Sequence, residues 1–232
     1  MELAYVPKGM EKRRLQCCPW SERTSMSLAF GDAPDNHRPV LSTRSSFNIS
    51  DGSQTLQALN LRRLRASDDC AFREIRTEGL RLHPEAFGAS FAEEQSQPLE
   101  RVADRLENGH VMTAVADDAI AGVVGLACSR AEKTRHIGLI WGLYVRPSWR
   151  RAGVARRLLE AVISDAMLVH PQPWMSDLRS LRICVEANNR AAIDLYEALG
   201  FTAWAVEKQA LLVGDHFHDE IHMRLDFAPR NR

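Results

Sequence analysis

The spacing of apolar residues along the chain switches repeatedly between the period of a strand and that of a helix. Apolar runs or alternations predict seven strands, at residues 59–64, 111–115, 120–129, 137–145, 181–185, 202–212 and 218–227. Helical spacing predicts four helices, at residues 67–80, 98–106, 154–166 and 189–199. The predicted order is therefore β-α-α-β-β-β-α-β-α-β-β, with a turn at residues 117–118 and another at Gly214–Asp215.

The first 55 residues differ in composition from the rest. They are rich in Ser, Arg, Pro and Asn and show no sustained period, so we predict a flexible N-terminal extension over 1–55. A translation start placed too early would also explain this segment. It has no apolar core of a secretory signal. Residues 56–230 are predicted to form a single domain.

The chain after the fourth predicted strand reads VRPSWRRAGVARRLL from Val145 to Leu159. The first backbone N–H groups of a helix have no partner inside the helix and carry partial positive charge. Gly153 lets a ligand approach the backbone closely, and Arg150 and Arg151 can add charge-assisted hydrogen bonds. This strand, basic loop and helix predict a site for a phosphate-bearing ligand. The loop has neither the Gly-Lys-Ser/Thr of a P-loop nor a G-x-G-x-x-G fingerprint.

A second block follows the fifth predicted strand. It runs from Asn189 to Phe201 and reads NRAAIDLYEALGF. Asn188 or Asn189 can cap the helix, and Gly200 stands where a left-handed C-terminal residue belongs. The predicted apolar stripe of this helix is Ala192, Leu195, Tyr196 and Leu199.

The two blocks together resemble the GNAT-type N-acetyltransferases. Arg-x-x-Gly-x-Ala after a Val-x-Pro strand end resembles their acetyl-CoA loop, and Asn-x-x-Ala-x-x-Leu-Tyr-Glu-x-Leu-Gly-Phe resembles their second signature. The resemblance extends over residues 56–227. It implies a mixed α/β GNAT acyltransferase fold, with a central, mostly antiparallel sheet of about seven strands. That sheet would be splayed at the cofactor slot and flanked by about four helices.

The resemblance also implies acetyl-CoA as co-substrate. A glycine inside a strand often marks a bulge or a close backbone approach, so we expect a break in the fourth strand at Gly142. Leu143 and Val145 would offer backbone groups to the pantetheine arm, which adds like a partial strand. The implied cofactor-binding residues are Leu143, Tyr144, Val145, Arg150, Arg151, Ala152, Gly153, Val154, Ala155, Asn189, Ala192 and Tyr196.

Two side chains are candidates for the chemistry. The resemblance gives Tyr196 the role of general acid towards the CoA thiolate, and the alternative is a core aromatic residue. Glu186 ends the fifth strand opposite its apolar face, so it could be the base in the slot or a solvated carboxylate. A water chain without a dedicated carboxylate is a third possibility. The N–H of Leu143 is the candidate donor to the thioester oxygen.

The acceptor region is expected between the first two helices. Residues 81–94, RLHPEAFGASFAEE, resemble small-molecule members of the group, and Glu85 and Phe87 are the expected substrate contacts. The expected function is transfer of the acetyl group to a primary amine of a small molecule, by direct attack in a ternary complex. A protein or peptide amine and a non-catalytic acetyl-CoA sensor are the alternatives. By resemblance, a homodimer could form through the C-terminal strands.

Composition limits the classes of partner and the compartment that the sequence predicts. The 30 basic and 30 acidic side chains cancel, so no global field attracts nucleic acid or an anionic membrane. The longest apolar run, Ala119–Cys128, is too short to cross a bilayer. Five cysteines without metal spacing suggest reduced thiols in a cytoplasmic protein.

No metal is expected. The alternating residues His216, His218, Glu220 and His222 could be drawn as a zinc site. However, neighbours on one face of a strand stand about 7 Å apart, too far to share a zinc ion easily.

Overall fold

The computed structural model describes residues 59–116, 119–129, 131–168 and 178–228. The predicted extension over 1–55 and the turn at 117–118 lie outside the described residues. The strands are β1 (Asn60–Arg63), β2 (His110–Ala116), β3 (Ala119–Cys128), β4 (Ile137–Val145), β5 (Ser180–Glu186), β6 (Thr202–Val213) and β7 (His216–Asp226). The α-helices are α1 (Asp69–Leu82), α2 (Phe91–Ser96), α3 (Leu99–Asn108), α4 (Val154–Met167) and α5 (Arg190–Ala198).

The seven strands form one sheet in the order β1-β2-β3-β4-β5-β7-β6. Every neighbouring pair is antiparallel except β4 and β5, which are parallel. The number of strands and the mostly antiparallel sheet expected from the sequence are confirmed. The hairpin joining β6 to β7 turns at Gly214, as predicted.

The described chain has five α-helices rather than four. The additional helix is α2, in the segment that the sequence pattern left without regular structure. Ser90 caps it: the Ser90 hydroxyl accepts from the Glu93 N–H, and the Glu93 carboxylate accepts from the Ser90 N–H, both at 3.1 Å. This reciprocal capping box, Ser-x-x-Glu, is a readable start signal that stabilises a helix too short to show a period.

The start of α1 differs in detail from the predicted cap. A short 3₁₀ turn, Ala66–Asp68, precedes the helix, and the Asp68 side chain does not cap it. Its carboxylate instead accepts hydrogen bonds from the Arg62 guanidinium at 2.8 and 2.9 Å. That pairing ties β1 to the helix start and lowers the pKa of Asp68.

The two faces of the sheet have separate cores. On one face α4 packs against β2, β3 and β4. Its predicted stripe is confirmed, because all four of its members are buried: Val154, Leu158, Val162 and Ala166. On the other face α1 and α3 bury Phe72, Ile75, Val102, Leu106 and Tyr144. The central strands are therefore covered on both faces, whereas β6 at the sheet edge is mostly exposed.

The apolar stripe of α5 is centred one residue away from the prediction. Ile193 and Tyr196 are buried, whereas Ala192, Leu195 and Leu199 are half-buried. Ile193 was missed because an apolar residue beside Ala192 fits two neighbouring helical faces equally well. The predicted left-handed residue after the helix is confirmed by Gly200, with φ +90°.

Candidate active site

The loop between β4 and α4 turns sharply into the helix. A 3₁₀ turn, Pro147–Trp149, follows β4, and Gly153 stands at the N-terminal cap of α4 with φ +75°. Arg151 also has a positive φ, +61°. A left-handed backbone is inexpensive for Gly153 but costs about 1 kcal/mol at an arginine. The local geometry leaves the first N–H groups of α4 at the end of the loop, where a helix can receive an anion.

The arginines beside this loop are unequally engaged. Arg150 folds back on β4, because its Nε donates to the Val145 carbonyl at 3.1 Å and its Nη2 lies 2.8 Å from His83 Nε2. Arg146 is held by two acids of α1, with Nε donating to Glu78 at 3.0 Å and Nη2 to Glu74 at 2.5 Å. Arg151 is exposed. Arg150 and Arg151, the two arginines of the loop itself, are both exposed beside the helix start.

A slot opens where β4 and β5 part. Their register pairs join residues 137–139 to residues 180–182, and both strands continue beyond that point. Further along β4, Gly142 has φ +66°, and the register between β3 and β4 shifts there. Gly142 and Leu143 together face the single residue Val124 of β3, which is a β-bulge. The interruption expected at Gly142 is thus present in the structure.

The slot contains a cavity of about 50 Å³. Its walls come from β4, from β5, from Tyr196 on α5 and from the turn that follows α1. The lining residues are Ala86, Phe87, Ile140, Trp141, Gly142, Leu143, Ile183, Cys184 and Tyr196. Predicted site residues from three separate segments, Leu143, Phe87 and Tyr196, therefore meet at one cavity.

Tyr196 reaches this cavity from the second sequence block. The side chain is buried and packs against Phe201 with ring centroids 6.1 Å apart. Burial raises the pKa of Tyr196, so the phenol keeps its proton throughout the neutral range. A protonated hydroxyl on the wall of this cavity can donate a proton to a neighbouring anion.

A buried cation lies behind the bulge. Arg76 of α1 is 7 % exposed, and its guanidinium lies 5.0 Å from the Phe87 ring centroid and 5.6 Å from that of Trp141. Its Nη1 would be 3.2 Å from a Cβ atom placed on Gly142. The described residues offer Nη1 no hydrogen-bond partner. Burial lowers the pKa of Arg76 to about 10, so it is still charged at neutral pH.

The charge of Arg76 is only partly neutralised. Its Nε lies 3.7 Å from Glu94, and the same carboxylate accepts two hydrogen bonds from Arg105 at 2.8 and 3.2 Å. Two guanidinium groups therefore share one carboxylate. The excess positive charge, in a low-dielectric region beside Gly142, favours a negative charge that develops in the slot.

Comparison with known proteins assigns the family. A family model described as "Acetyltransferase (GNAT) family" matches residues 76–201, which span the slot, the loop and both sequence blocks. The chain belongs to the GNAT acetyltransferase family. It is accordingly an acetyl-CoA-dependent N-acetyltransferase, and the resemblance found in the sequence is confirmed.

Solved structures of GNAT acetyltransferases share the fold. An acetyltransferase from Streptococcus pneumoniae is 20% identical, with a TM-score of 0.62 over 73% of this chain and 99% of that chain. The putative acetyltransferase yncA from Salmonella typhimurium, solved with acetyl-CoA, is 22% identical, with a TM-score of 0.62 over 75% and 97%. A ribosomal-protein-alanine N-acetyltransferase from Brucella melitensis is 21% identical, with a TM-score of 0.61 over 72% and 99%. At these identities the likeness establishes the fold.

Two further findings about the acetyltransferase are negative. A search of curated proteins found no match. Among the described helices, none has the length and apolar character needed to cross a membrane.

Glu186 of the acetyltransferase is not the solvated carboxylate that was one sequence-based alternative. It is 6 % exposed and accepts hydrogen bonds from the Asn188 N–H at 2.9 Å and from Asn188 Nδ2 at 2.8 Å. His218 Nδ1 lies 3.5 Å from its Oε1. Both carboxylate oxygens therefore hold the turn from β5 into α5.

Four other predicted site residues do not line the cavity. The Tyr144 side chain points into the α1–α3 core, where its hydroxyl donates to Glu78 at 2.9 Å, so only its backbone remains for a cofactor. Glu85 is outside the cavity lining, and its carboxylate lies 3.6 Å from His83. Asn189 caps α5 by accepting from the Ala192 N–H at 3.2 Å. Ala192 is half-buried on the same helix.

Sequence reasoning missed a group of polar residues beside the cavity. Cys184 lines the cavity, and its Sγ lies 3.3 Å from His222 Nδ1. His222 Nε2 lies 2.9 Å from Glu207. The sequence signal was the alternation of polar residues in β5 and β7. Alternation predicts which residues share a face of the sheet, but it does not predict which residues of two strands lie opposite each other. In the described part of the chain, no cluster of three or more His, Cys, Asp or Glu side chains could hold a metal ion.

Proposed function

We propose that this acetyltransferase transfers the acetyl group of acetyl-CoA to a primary amine of a small molecule. The amine attacks directly within a ternary complex, and Tyr196 is the general acid. One observation carries the proposal: the Tyr196 ring lines the cavity together with Gly142 and Leu143, where β4 and β5 part. A phenol and an interrupted strand at one opening are what acyl transfer from a thioester requires.

Acetyl-CoA binds along the slot with its pyrophosphate at the start of α4. The backbone N–H groups of residues 152–155 receive the phosphate oxygens, and Arg150 and Arg151 add charge. The pantetheine arm adds to the backbone of β4 at Leu143 and Val145, on the edge that β5 has left. Asn189 orders the start of α5 on the opposite wall.

The bulge stabilises the transition state. The Leu143 N–H donates to the thioester oxygen as that oxygen gains negative charge, and the buried charge of Arg76 behind Gly142 strengthens the effect. Tyr196 donates its proton to the departing CoA sulfur. Because burial keeps the phenol protonated, this acid is available across the neutral range.

The acceptor enters beside Phe87. The amine reaches the acetyl group through this cavity, and the small-molecule acceptor is supported by the resemblance of residues 81–94 to small-molecule members of the family. The amine loses its proton to water in the slot. Glu186 positions the turn into α5, since both its oxygens accept hydrogen bonds from Asn188.

A protein amine is the second candidate acceptor. The Brucella melitensis protein of the same fold is a ribosomal-protein-alanine N-acetyltransferase. In that case the slot would open to an extended peptide N-terminus rather than to a free small molecule.

The testing experiment is a calorimetric titration of the purified chain with acetyl-CoA, followed by a free-thiol release assay. Pools of small amines and pools of peptides with free N-termini serve as acceptors. Thiol release with a small-amine pool supports the proposal. Release with peptides alone favours the second candidate, a protein amine. Binding without release from either pool favours an acetyl-CoA sensor. Absence of binding would overturn the proposal.

A further inference from the structure

A cysteine, a histidine and a glutamate form a chain of contacts across three strands. Cys184 of β5 and His222 of β7 are direct register partners, with Sγ 3.3 Å from Nδ1. The other ring nitrogen of His222 lies 2.9 Å from Glu207 Oε2 on β6. The strand register therefore places the thiol directly opposite the imidazole, and Glu207, two residues along β6 from Ala205, the register partner of His222, supplies the carboxylate.

The hydrogen-bonding capacities of these groups assign their protons. An ionised carboxylate only accepts, so His222 Nε2 carries the proton that is donated to Glu207. His222 Nδ1 is then an acceptor, and it faces the Cys184 thiol. A nucleophile, a base and a carboxylate that orients the base are the three parts of an activated cysteine.

The cysteine is also in the right place for an acetyl group. Cys184 lines the same cavity as Leu143 and Tyr196, on the β5 wall. The other two described cysteines lack this arrangement. Cys70 is exposed on α1, and burial raises the pKa of Cys128 on β3 to about 12. Its place on the cavity wall and its contact with His222 therefore distinguish Cys184 from Cys70 and Cys128.

We infer that Cys184 is itself an acetyl acceptor, so that the chain forms an S-acetylcysteine from acetyl-CoA by thiol exchange. The inference rests on the proposed binding of acetyl-CoA in the slot and adds a second acceptor class, a thiol. In the absence of an amine, the acetyl group moves to Cys184 and free CoA is released.

The exchange balances without any further reactant. Nδ1 of His222 takes the proton from Cys184 Sγ, and the sulfur forms a bond to the acetyl carbonyl carbon. The bond between that carbon and the CoA sulfur breaks, and Tyr196 donates a proton to the CoA sulfur as in amine transfer. The proton held by His222 then restores the Tyr196 phenol. Glu207 stabilises the imidazolium that exists between these events. Arg76 and the Leu143 N–H favour the negative charge on the oxygen.

The experiment incubates the full chain with acetyl-CoA and no amine, then locates the acetyl group by peptide mass spectrometry. We expect one hydroxylamine-sensitive acetyl group on the peptide that contains Cys184, and none on the exposed Cys70. Cys184→Ser should abolish the thioester, whereas Cys70→Ser and Cys128→Ser should not. His222→Gln should slow labelling by about a hundredfold or more, because the base is lost. His218→Gln, on the same strand, should leave labelling at Cys184 unchanged.

Acetyl-CoA binding is measured on each variant by calorimetry, which separates this inference from the proposed function. Loss of binding in the unmodified chain would overturn both. Intact binding without a label on Cys184 would overturn the cysteine assignment alone, as would equal labelling of Cys70 and Cys184. Labelling that persists at the normal rate in a folded, acetyl-CoA-binding His222→Gln variant would remove the histidine from the step.

Discussion

The two sides of the slot are built in different ways. The cofactor side is a single continuous segment, from β4 through the loop to α4, and most of its proposed contacts come from the backbone. The acceptor side is assembled from β5, β6, β7 and the turn at Pro84–Ala86, and its contacts come from side chains. Residues of that side come from segments as far apart in the sequence as Ala86 and His222.

This difference explains which side of the slot can be recognised from the sequence. A backbone anion site needs a glycine and a helix start at fixed spacing, so it leaves a short motif in the sequence. A side-chain site needs only that its members meet in space, and many spacings achieve that. The loop of the cofactor side can therefore be recognised from a motif, whereas the side-chain contacts of the acceptor side cannot.

The largest effect is expected on the cofactor side, from Gly153→Glu. Gly153 has φ +75° at the start of α4, so a glutamate there is strained and places a negative charge against the pyrophosphate. We expect acetyl-CoA binding to be lost in a calorimetric titration, and amine acetylation to be lost with it.

Gly214→Glu is the matched control. Gly214 also has a positive φ, +59°, and an added Cβ there meets no atom within 4 Å. Its backbone strain is similar, but it lies in the β6–β7 turn. If Gly153→Glu still bound acetyl-CoA, or if Gly214→Glu lost binding equally, the continuous loop would not be the phosphate site.

The next effect is expected where the two sides meet, from Tyr196→Phe. This change removes the proposed acid and leaves the ring packed against Phe201. Turnover should fall at least about tenfold, or ~1.4 kcal/mol in the barrier, with little change in acetyl-CoA affinity. Steady-state kinetics and calorimetry measure the two quantities separately. Unchanged turnover would return Tyr196 to the role of a core aromatic residue.

Local patterns were enough to predict most of the fold. The seven strands follow from period-two or continuous apolar runs, and β4 was predicted with the bounds that the structure has. The short helix α2 was missed, because six residues cannot display a helical period and only the capping pair at Ser90 and Glu93 marked it.

The sequence predicted the continuous side of the candidate site as a motif, and only single residues of the rest. Leu143, Phe87 and Tyr196 line the cavity, whereas Glu85 lies outside its lining. The contacts of Cys184 with His222 depend on the antiparallel register of β5 and β7, which a one-residue shift would have abolished. The buried charge of Arg76 depends on the packing of α1 over Gly142. Neither arrangement follows from a local pattern.

The smallest effect is expected from Asn189→Ala, which separates the support of the slot from its chemistry. The Asn189 side chain caps α5 at 3.2 Å from the Ala192 N–H, and its loss should lower the free energy of unfolding by about 1 kcal/mol. Urea unfolding measures this, with the exposed Asn108→Ala as a control that should stay near zero. If Asn189 only orders α5, acetyl-CoA affinity should fall little. A loss of affinity much larger than the loss of stability would make Asn189 a direct ligand, so the second sequence block would then contribute a side chain to the cofactor side.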